Sequence, residues 1–286
     1  MKKNTFMFVP SGGLANRMRA IASACSMTRL TGNDLQIVWF QDWALNAPFY
    51  SIFKPQPHLP LREATLADHL LYDRARRRNL WLPTLPQRLL FGQRLHKDDI
   101  WDLMVSKFDF AAWAKDQCCY MSCYMDYYPY DSALLHQLFV PVQQVTDAVD
   151  RNRELLASPH VIGIHIRRTD HVISIAKSPT SLFVDKIKAE TERHADTKVF
   201  LATDSNDVKA ELKGIFGDRI VTPDAEARRD GVDGIRGGLA FMYTLAATNK
   251  IYGSQGSTFS KMASRLGGIE LWLLERDKET LFTYGK

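Results

Sequence analysis

Apolar positions along the chain recur with two periods, and the alternation between them outlines the fold. Thr5 to Val9 is a short apolar run of strand type. After the turn Pro10-Ser11-Gly12-Gly13, the residues Leu14, Met18, Ile21, Ala22 and Cys25 recur with helical spacing. Gly32 and Asn33 close that helix, and Leu35 to Phe40 reads as a second strand, completing a βαβ unit. From Trp43 to Pro141 the pattern is irregular; prolines and aromatics predict short helices and loops, with one strand near Cys118 to Met125. A helix is predicted from Gln143 to Ala157, and Ser158-Pro159 marks a boundary. Beyond it strands begin at Val161, Lys198, Arg219, Lys250 and Ile269, with helices near Ser181 to Arg193, Asn206 to Ile215, Ile235 to Thr248 and Thr258 to Leu266. Such βα alternation specifies a parallel sheet wrapped by helices. The expectation is an α/β protein of two Rossmann-like domains, residues 1–157 and 158–286, facing across a cleft that holds the ligand.

Length and composition fit that picture: 286 residues suit two domains, and 45% hydrophobic residues are ordinary for a globular chain. No apolar run reaches the roughly 20 residues that span a bilayer. The amino terminus MKKNTFMFVP has too short an apolar stretch for a signal peptide, which predicts a cytoplasmic protein. Of the four cysteines, Cys25 sits in a helical pattern and Cys118, Cys119 and Cys123 lack paired CxxC spacing, so no metal site is expected. The net charge of +5 is unevenly spread: Arg74 to Lys97 holds seven basic residues and no acidic one, interleaved with Leu80, Trp81, Leu82, Leu85, Leu89, Leu90 and Phe91. This stretch suits peripheral contact with an anionic membrane surface or an anionic acceptor, or else it is a solvated connecting segment. It contains no module that reads DNA or RNA, and no nucleic-acid partner is expected.

The chemistry concentrates where strands end. Val161, Ile162, Ile164 and Ile166 form a buried-strand pattern that delivers His165, Arg167, Arg168 and Asp170 to its carboxyl end, the ligand-binding edge of open α/β sheets. Consecutive arginines on an extended segment point to opposite faces, so one can grip a phosphate bidentately while the other orders the backbone. An Arg–Asp ion pair at a strand end is the plainer reading of the same residues. In Ser11 to Arg17 the pair Gly12-Gly13 permits close backbone approach at a helix N-terminus, with Asn16 and Arg17 following. Without GxGxxG or GK[ST], neither a dinucleotide nor ATP hydrolysis is supported. Thr203 and Asp204 end another apolar strand, where Asp204 is either functional or part of a cap shared with Ser205 or Asn206. In Gly253 to Ser260, the hydroxyls of Ser254, Ser257, Thr258 and Ser260 with two glycines form a nest suited to a diphosphate.

Taken together, HIRRTD, VFLATD, GSQGSTFS and the N-terminal SGGLANRMRAIASA resemble, in order and spacing, the GDP-fucose-dependent fucosyltransferases of the α1,2/α1,6/O-fucosyl group, closest to the α1,6 and nodulation-type enzymes. The resemblance covers the first 30 residues and most of 160 to 270. It implies a GT-B-like architecture, inversion at the fucose carbon, no metal, and GDP-fucose as donor substrate rather than any bound cofactor. It also implies that Arg167 grips the donor diphosphate, that Arg168 and Asp170 support the site, and that His165 contacts the nucleotide. Ser254, Ser257, Thr258 and Ser260 would form the diphosphate loop, and Gly12, Gly13, Asn16 and Arg17 the matching N-terminal loop, with Asp204 beside the donor. Two positions depart from the family. The lysine and glutamate that follow RRTD in α1,6-type relatives are His171 and Ile175 here, so Asp170 is the first candidate for general base and His171 the second. The acidic guanine reader is replaced by Phe241 and Met242.

The expected function is transfer of fucose from GDP-fucose to a hydroxyl of a glycan, such as a lipid-linked precursor, with the irregular middle region choosing the acceptor. Use of another nucleotide sugar and non-catalytic binding of a nucleotide or sugar are the alternatives.

Overall fold

The computed structural model describes residues 4–168, 172–223 and 231–283. The chain divides into two compact units, the first running to Pro141 and the second starting at Val142. In the first, β1 (Thr5–Pro10), α1 (Leu14–Thr31), β2 (Asp34–Trp39) and β3 (Leu61–Glu63) precede two short helices, α2 (Leu66–Leu71) and α3 (Thr84–Leu90). There follow β4 (Gln93–Leu95), α4 (Ile100–Val105), α5 (Phe110–Ala114), β5 (Cys119–Cys123) and α6 (Ser132–Leu138). The second contains α7 (Gln143–Leu155), β6 (Val161–Ile166), α8 (Val172–Lys177), α9 (Thr180–Arg193), β7 (Lys198–Thr203), α10 (Asn206–Phe216) and β8 (Ile220–Val221). It ends with α11 (Val232–Ala246), β9 (Lys250–Ser254), α12 (Thr258–Gly267), β10 (Glu270–Glu275) and β11 (Lys278–Phe282).

The first sheet is parallel, in the order β3-β2-β1-β5-β4. Its two outer strands were not legible in the sequence because each spans three residues, too few to show a period. The second sheet has the order β11-β10-β9-β6-β7-β8. In chain order this is the doubly wound arrangement, with the winding direction reversing between β6 and β9. Only β11 runs antiparallel, as an edge hairpin on β10 that the sequence pattern did not suggest. Ile164, Leu201, Val199, Phe183, Ile187 and Leu212 form the core between β6, β7 and the helices covering one face.

One boundary differs from expectation. The helix α7, assigned from the sequence to the N-terminal domain, belongs to the second unit, where the Asn152 amide donates to Thr244 Oγ1 at 3.0 Å. Ser158-Pro159 is therefore a turn within that unit, its Ser158 hydroxyl bonded to the Asp196 carbonyl at 2.9 Å.

Close helix packing in this unit depends on Gly267, where an added Cβ would lie 2.1 Å from the carbonyl oxygen of Ala246 at the end of α11. A backbone carbonyl cannot rotate aside as a flexible side chain would. Gly267→Ala is expected to destabilise the protein by about 1–3 kcal/mol, read as a lowered thermal midpoint.

Candidate active site

The winding switch between β6 and β9 brings Arg167 beside the turn that follows β9. The Arg167 amide donates to Ser254 Oγ at 3.2 Å, and Ser254, fully buried, lies 3.4 Å from the His165 carbonyl. Ser254 thereby joins the two strand ends that form the switch. On the other side of β6, the Asp204 carboxylate bridges the arginine pair: Oδ1 accepts the Arg168 amide at 2.7 Å, and Oδ2 lies 3.2 Å from Arg167 Nε. The N-cap of α10 is Ser205, whose hydroxyl accepts from the Val208 amide. This resolves the alternatives for Asp204: it is the partner of Arg167, while its neighbour caps the helix.

The two arginines have different surroundings. Arg168 reaches back along the protein, its Nη1 donating to the Arg167 carbonyl at 3.0 Å and its Nη2 to the Ser178 carbonyl at 2.7 Å and Thr180 Oγ1 at 3.2 Å. It ties the start of α9 to the strand end. Burial lowers its pKa from the ordinary guanidinium value, with Asp204 opposing the shift. The Arg167 side chain is 22% exposed and pairs with an Asp204 side chain that is 12% exposed. Ser178, not foreseen from the sequence, completes the scaffold: its hydroxyl donates to the Leu274 carbonyl at 2.6 Å and accepts the Gln255 amide at 3.0 Å. The segment Ser178-Pro179-Thr180 carries helix-start chemistry, the signal by which it could have been found.

His165 lies inside β6, 5% exposed, with its ring stacked on Phe259 at 4.9 Å between centroids. Burial, reinforced by the Arg167 charge and opposed by Asp204, pushes its pKa down to about 3. The imidazole is neutral at physiological pH. Unfolded histidine takes up a proton near pH 6.5, whereas the folded residue resists it down to about 3, so folding stability should decline as pH falls through that window. The slope should approach 1.4 kcal/mol per pH unit, about the free energy of one pKa unit. Urea unfolding midpoints measured against pH should show this decline in the native protein and a shallower one in His165→Leu.

In the turn after β9, the Ser257 hydroxyl caps α12 by accepting from the Phe259 amide at 3.3 Å. Thr258 is the first residue of that helix, and the buried Ser260 hydroxyl has no hydrogen-bond partner among the described residues. The N-terminus of α12 offers unsatisfied backbone N–H groups and a positive dipole next to the Arg167–Ser254 junction.

In the first unit, Gly12 adopts φ +79°, a left-handed turn that an L side chain resists, with the Asn16 side chain packed over it. Gly13 precedes α1 without a side-chain cap, and the Ser11 amide bonds to the Cys123 carbonyl at 2.8 Å, joining β1 to β5. Ser11 Oγ and Asn16 Oδ1 are buried with no partner among the described residues.

Arg17, expected among the donor contacts, has another role. It is 0% exposed, its Nε donating to the Gly12 carbonyl (2.8 Å), Nη1 to Phe40 (2.5 Å) and Nη2 to Asp42 Oδ1 (2.9 Å), with the guanidinium 4.6 Å from the Trp39 ring centroid. Every nitrogen is committed within the protein, so Arg17 holds the glycine turn rather than reaching a ligand.

Asp170 and His171, the candidate bases, lie outside the described residues. Ile175 is 44% exposed on α8, and Phe241 and Met242 are buried in α11, with Phe241 edge-on to Phe200. Those two positions are core. Among the described residues no group of three or more His, Cys, Asp or Glu is arranged to hold a metal ion. Burial pushes the Cys25, Cys119 and Cys123 thiols up to about 12.

No protein-family model matches the chain, and no curated protein matches it in sequence. Solved structures do. The α1,6-fucosyltransferase NodZ co-crystallised with GDP aligns with a TM-score of 0.66 at 20% identity, over 98% of this chain and 99% of that one. NodZ from Bradyrhizobium aligns equally well. Arabidopsis thaliana FUT1 in complex with GDP aligns at 0.60 and 18% identity, over 94% of this chain and 70% of that one. POFUT1 in complex with GDP-fucose aligns at 0.53 and 10% identity, over 93% and 94%. The fold is the GT-B-like α/β fold of the GDP-fucose fucosyltransferases, as the sequence resemblance implied.

Proposed function

We propose that the protein is an inverting, metal-independent fucosyltransferase that moves fucose from GDP-fucose to a hydroxyl of a glycan acceptor. The reading rests on Arg167: it stands at the winding switch of the second sheet, oriented by Asp204 and adjoining the N-terminus of α12. Fold neighbours with GDP or GDP-fucose in their crystals support the choice of donor. In the proposed reaction an acceptor oxygen attacks the fucose anomeric carbon from the face opposite the diphosphate. The bond from that carbon to the β-phosphate oxygen breaks with its electron pair on the phosphate, and the acceptor proton passes to a base. Negative charge grows on the departing GDP, and Arg167 with the α12 backbone N–H groups neutralises it without a metal. A guanidinium suits the task because its planar fork matches phosphate geometry and stays charged.

Arg168 acts as a positioning residue, Ser254 and Ser257 shape the diphosphate turn, and neutral His165 lines the nucleotide side beneath it. Asp170 is the first candidate for the base and His171 the second. The second unit is the donor side, and the first unit, through residues 43–141, supplies the acceptor side. GDP-fucose enters as substrate, and the reaction needs no further cofactor. A lipid-linked glycan as acceptor would place the work on the cytoplasmic side of a membrane.

Calorimetry with GDP, UDP and dTDP, followed by product analysis with GDP-fucose in the presence of EDTA, tests the reading. GDP binding and fucose transfer that survives chelation are expected. UDP binding without GDP binding would instead favour another nucleotide sugar, a reading to which the core placement of Phe241 and Met242 lends weight.

A further inference from the structure

The basic segment of the first unit leaves large apolar side chains in solvent. Leu80 is 73% exposed, Trp81 56%, Leu82 55%, Leu85 68% and Leu89 82%. Leu82, Leu85 and Leu89 are spaced three and four apart, which places them along one side of α3 and the turn that leads into it. In that turn Leu80 and Trp81 are both left-handed, with φ 51° and 55°, a conformation bulky L residues seldom adopt. Backbone bonds impose it: Leu80 N to the Arg77 carbonyl, Trp81 N to Arg76 and Leu82 N to Asn79, with the Asn79 amide reaching the Arg74 carbonyl. A strained turn that directs a leucine and a tryptophan outward points to something that covers them.

Charge identifies what covers them. Arg74 and Arg76 pair with Asp42 and Asp73 and anchor the segment to the body of the unit. Arg77, Arg78 and Arg88 are exposed beside the apolar side chains, and no carboxylate occurs between Arg74 and Lys97. A second copy of the chain would bring the same cationic face against itself, and like charges oppose that contact. Leucines with a tryptophan, in a segment whose charged side chains are all basic, match an anionic bilayer, whose acyl boundary accepts the apolar groups and whose phosphates accept the guanidinium groups. We infer that this face docks on the surface of an anionic lipid membrane. The docking is peripheral: among the described residues no helix is long and apolar enough to cross a membrane. It does not depend on the transfer reaction, because it is read without donor or acceptor.

Co-sedimentation of the full chain with phosphatidylcholine vesicles, with and without about 30% phosphatidylglycerol, tests it. Binding to the anionic vesicles alone is expected, weakened by salt, with a blue shift of tryptophan emission that Trp81→Phe removes. Leu85→Ser with Leu89→Ser should lower the partition coefficient about 100-fold, at roughly tenfold per buried leucine. Arg88→Gln should lower it about fivefold. All these positions are exposed, and unchanged circular dichroism and melting will show that the variants fold. Equal binding to neutral vesicles, no binding at all, or unaltered binding by the leucine variant would overturn the proposal. So would a concentration-dependent dimer that the leucine variant abolishes.

Discussion

Arg167→Ala is expected to reduce kcat/KM for fucose transfer about 10³-fold while leaving the melting temperature nearly unchanged, the scale seen when a charge-stabilising donor is lost from an active site. The side chain is partly exposed, and the Asp204 carboxylate it pairs with keeps the Arg168 amide as a donor when the guanidinium is removed. Its loss therefore registers in chemistry rather than folding. Arg167→Lys should recover only part of the rate, because a point charge lacks the planar fork that spans two phosphate oxygens. Arg168→Ala offers the contrast: its guanidinium holds the Arg167, Ser178 and Thr180 oxygens, so its removal should loosen the start of α9 and lower both melting temperature and rate. Initial rates, donor affinity by calorimetry and thermal melts on the three variants distinguish the roles. Normal turnover by Arg167→Ala would remove the proposed mechanism.

The largest stability effect is expected at Arg17. Replacement by methionine should destabilise the protein by about 3–5 kcal/mol, the scale of breaking a buried ion pair and leaving two buried carbonyl oxygens without donors. Burial lowers the Arg17 pKa to about 10, with Asp42 opposing that shift, so the guanidinium stays charged at neutral pH. Without it the Gly12 and Phe40 carbonyls lose these donors, and among the described residues Asp42 keeps Arg74 as its charged partner. At about 2–4 °C per kcal/mol, the melting midpoint should fall by roughly 6–20 °C. Arg17→Lys keeps the charge but cannot reach three acceptors at once, and should lie between the native protein and Arg17→Met. A midpoint unchanged in Arg17→Met would mean that the glycine turn stands without its guanidinium.

Which parts of this molecule were legible in the chain, and which were not, follows from how far apart the interacting groups lie. The alternation of periods located β1, β2, β6, β7 and β9, and with them the polar clusters after their carboxyl ends, because a buried strand of five or six residues carries its own signature. The three-residue strands β3 and β4 have no such signature. That an arginine pair stands at the end of β6 was likewise local, since two arginines closing an apolar strand constitute the signal.

The assignment between them was not local. Arg168 is defined by carbonyl oxygens at Arg167 and Ser178, and Arg17 by those of Gly12 and Phe40, and every residue carries a carbonyl. On sequence alone Asp204 could be part of a helix cap or serve the site; Ser205 took the cap, and β7 beside β6 set Asp204 against the arginine pair. The stretch holding Leu82, Leu85 and Leu89 could be a docking face or a solvated connecting segment on sequence alone, and the packed unit showed these three side chains exposed. By itself the sequence determined where the longer buried strands and the helices after them form, and which chemical groups stand at their ends, because short-range periodicity and turn chemistry govern both. Tertiary structure alone decided which charges are buried as scaffold and which meet solvent, since burial is created by residues distant along the chain.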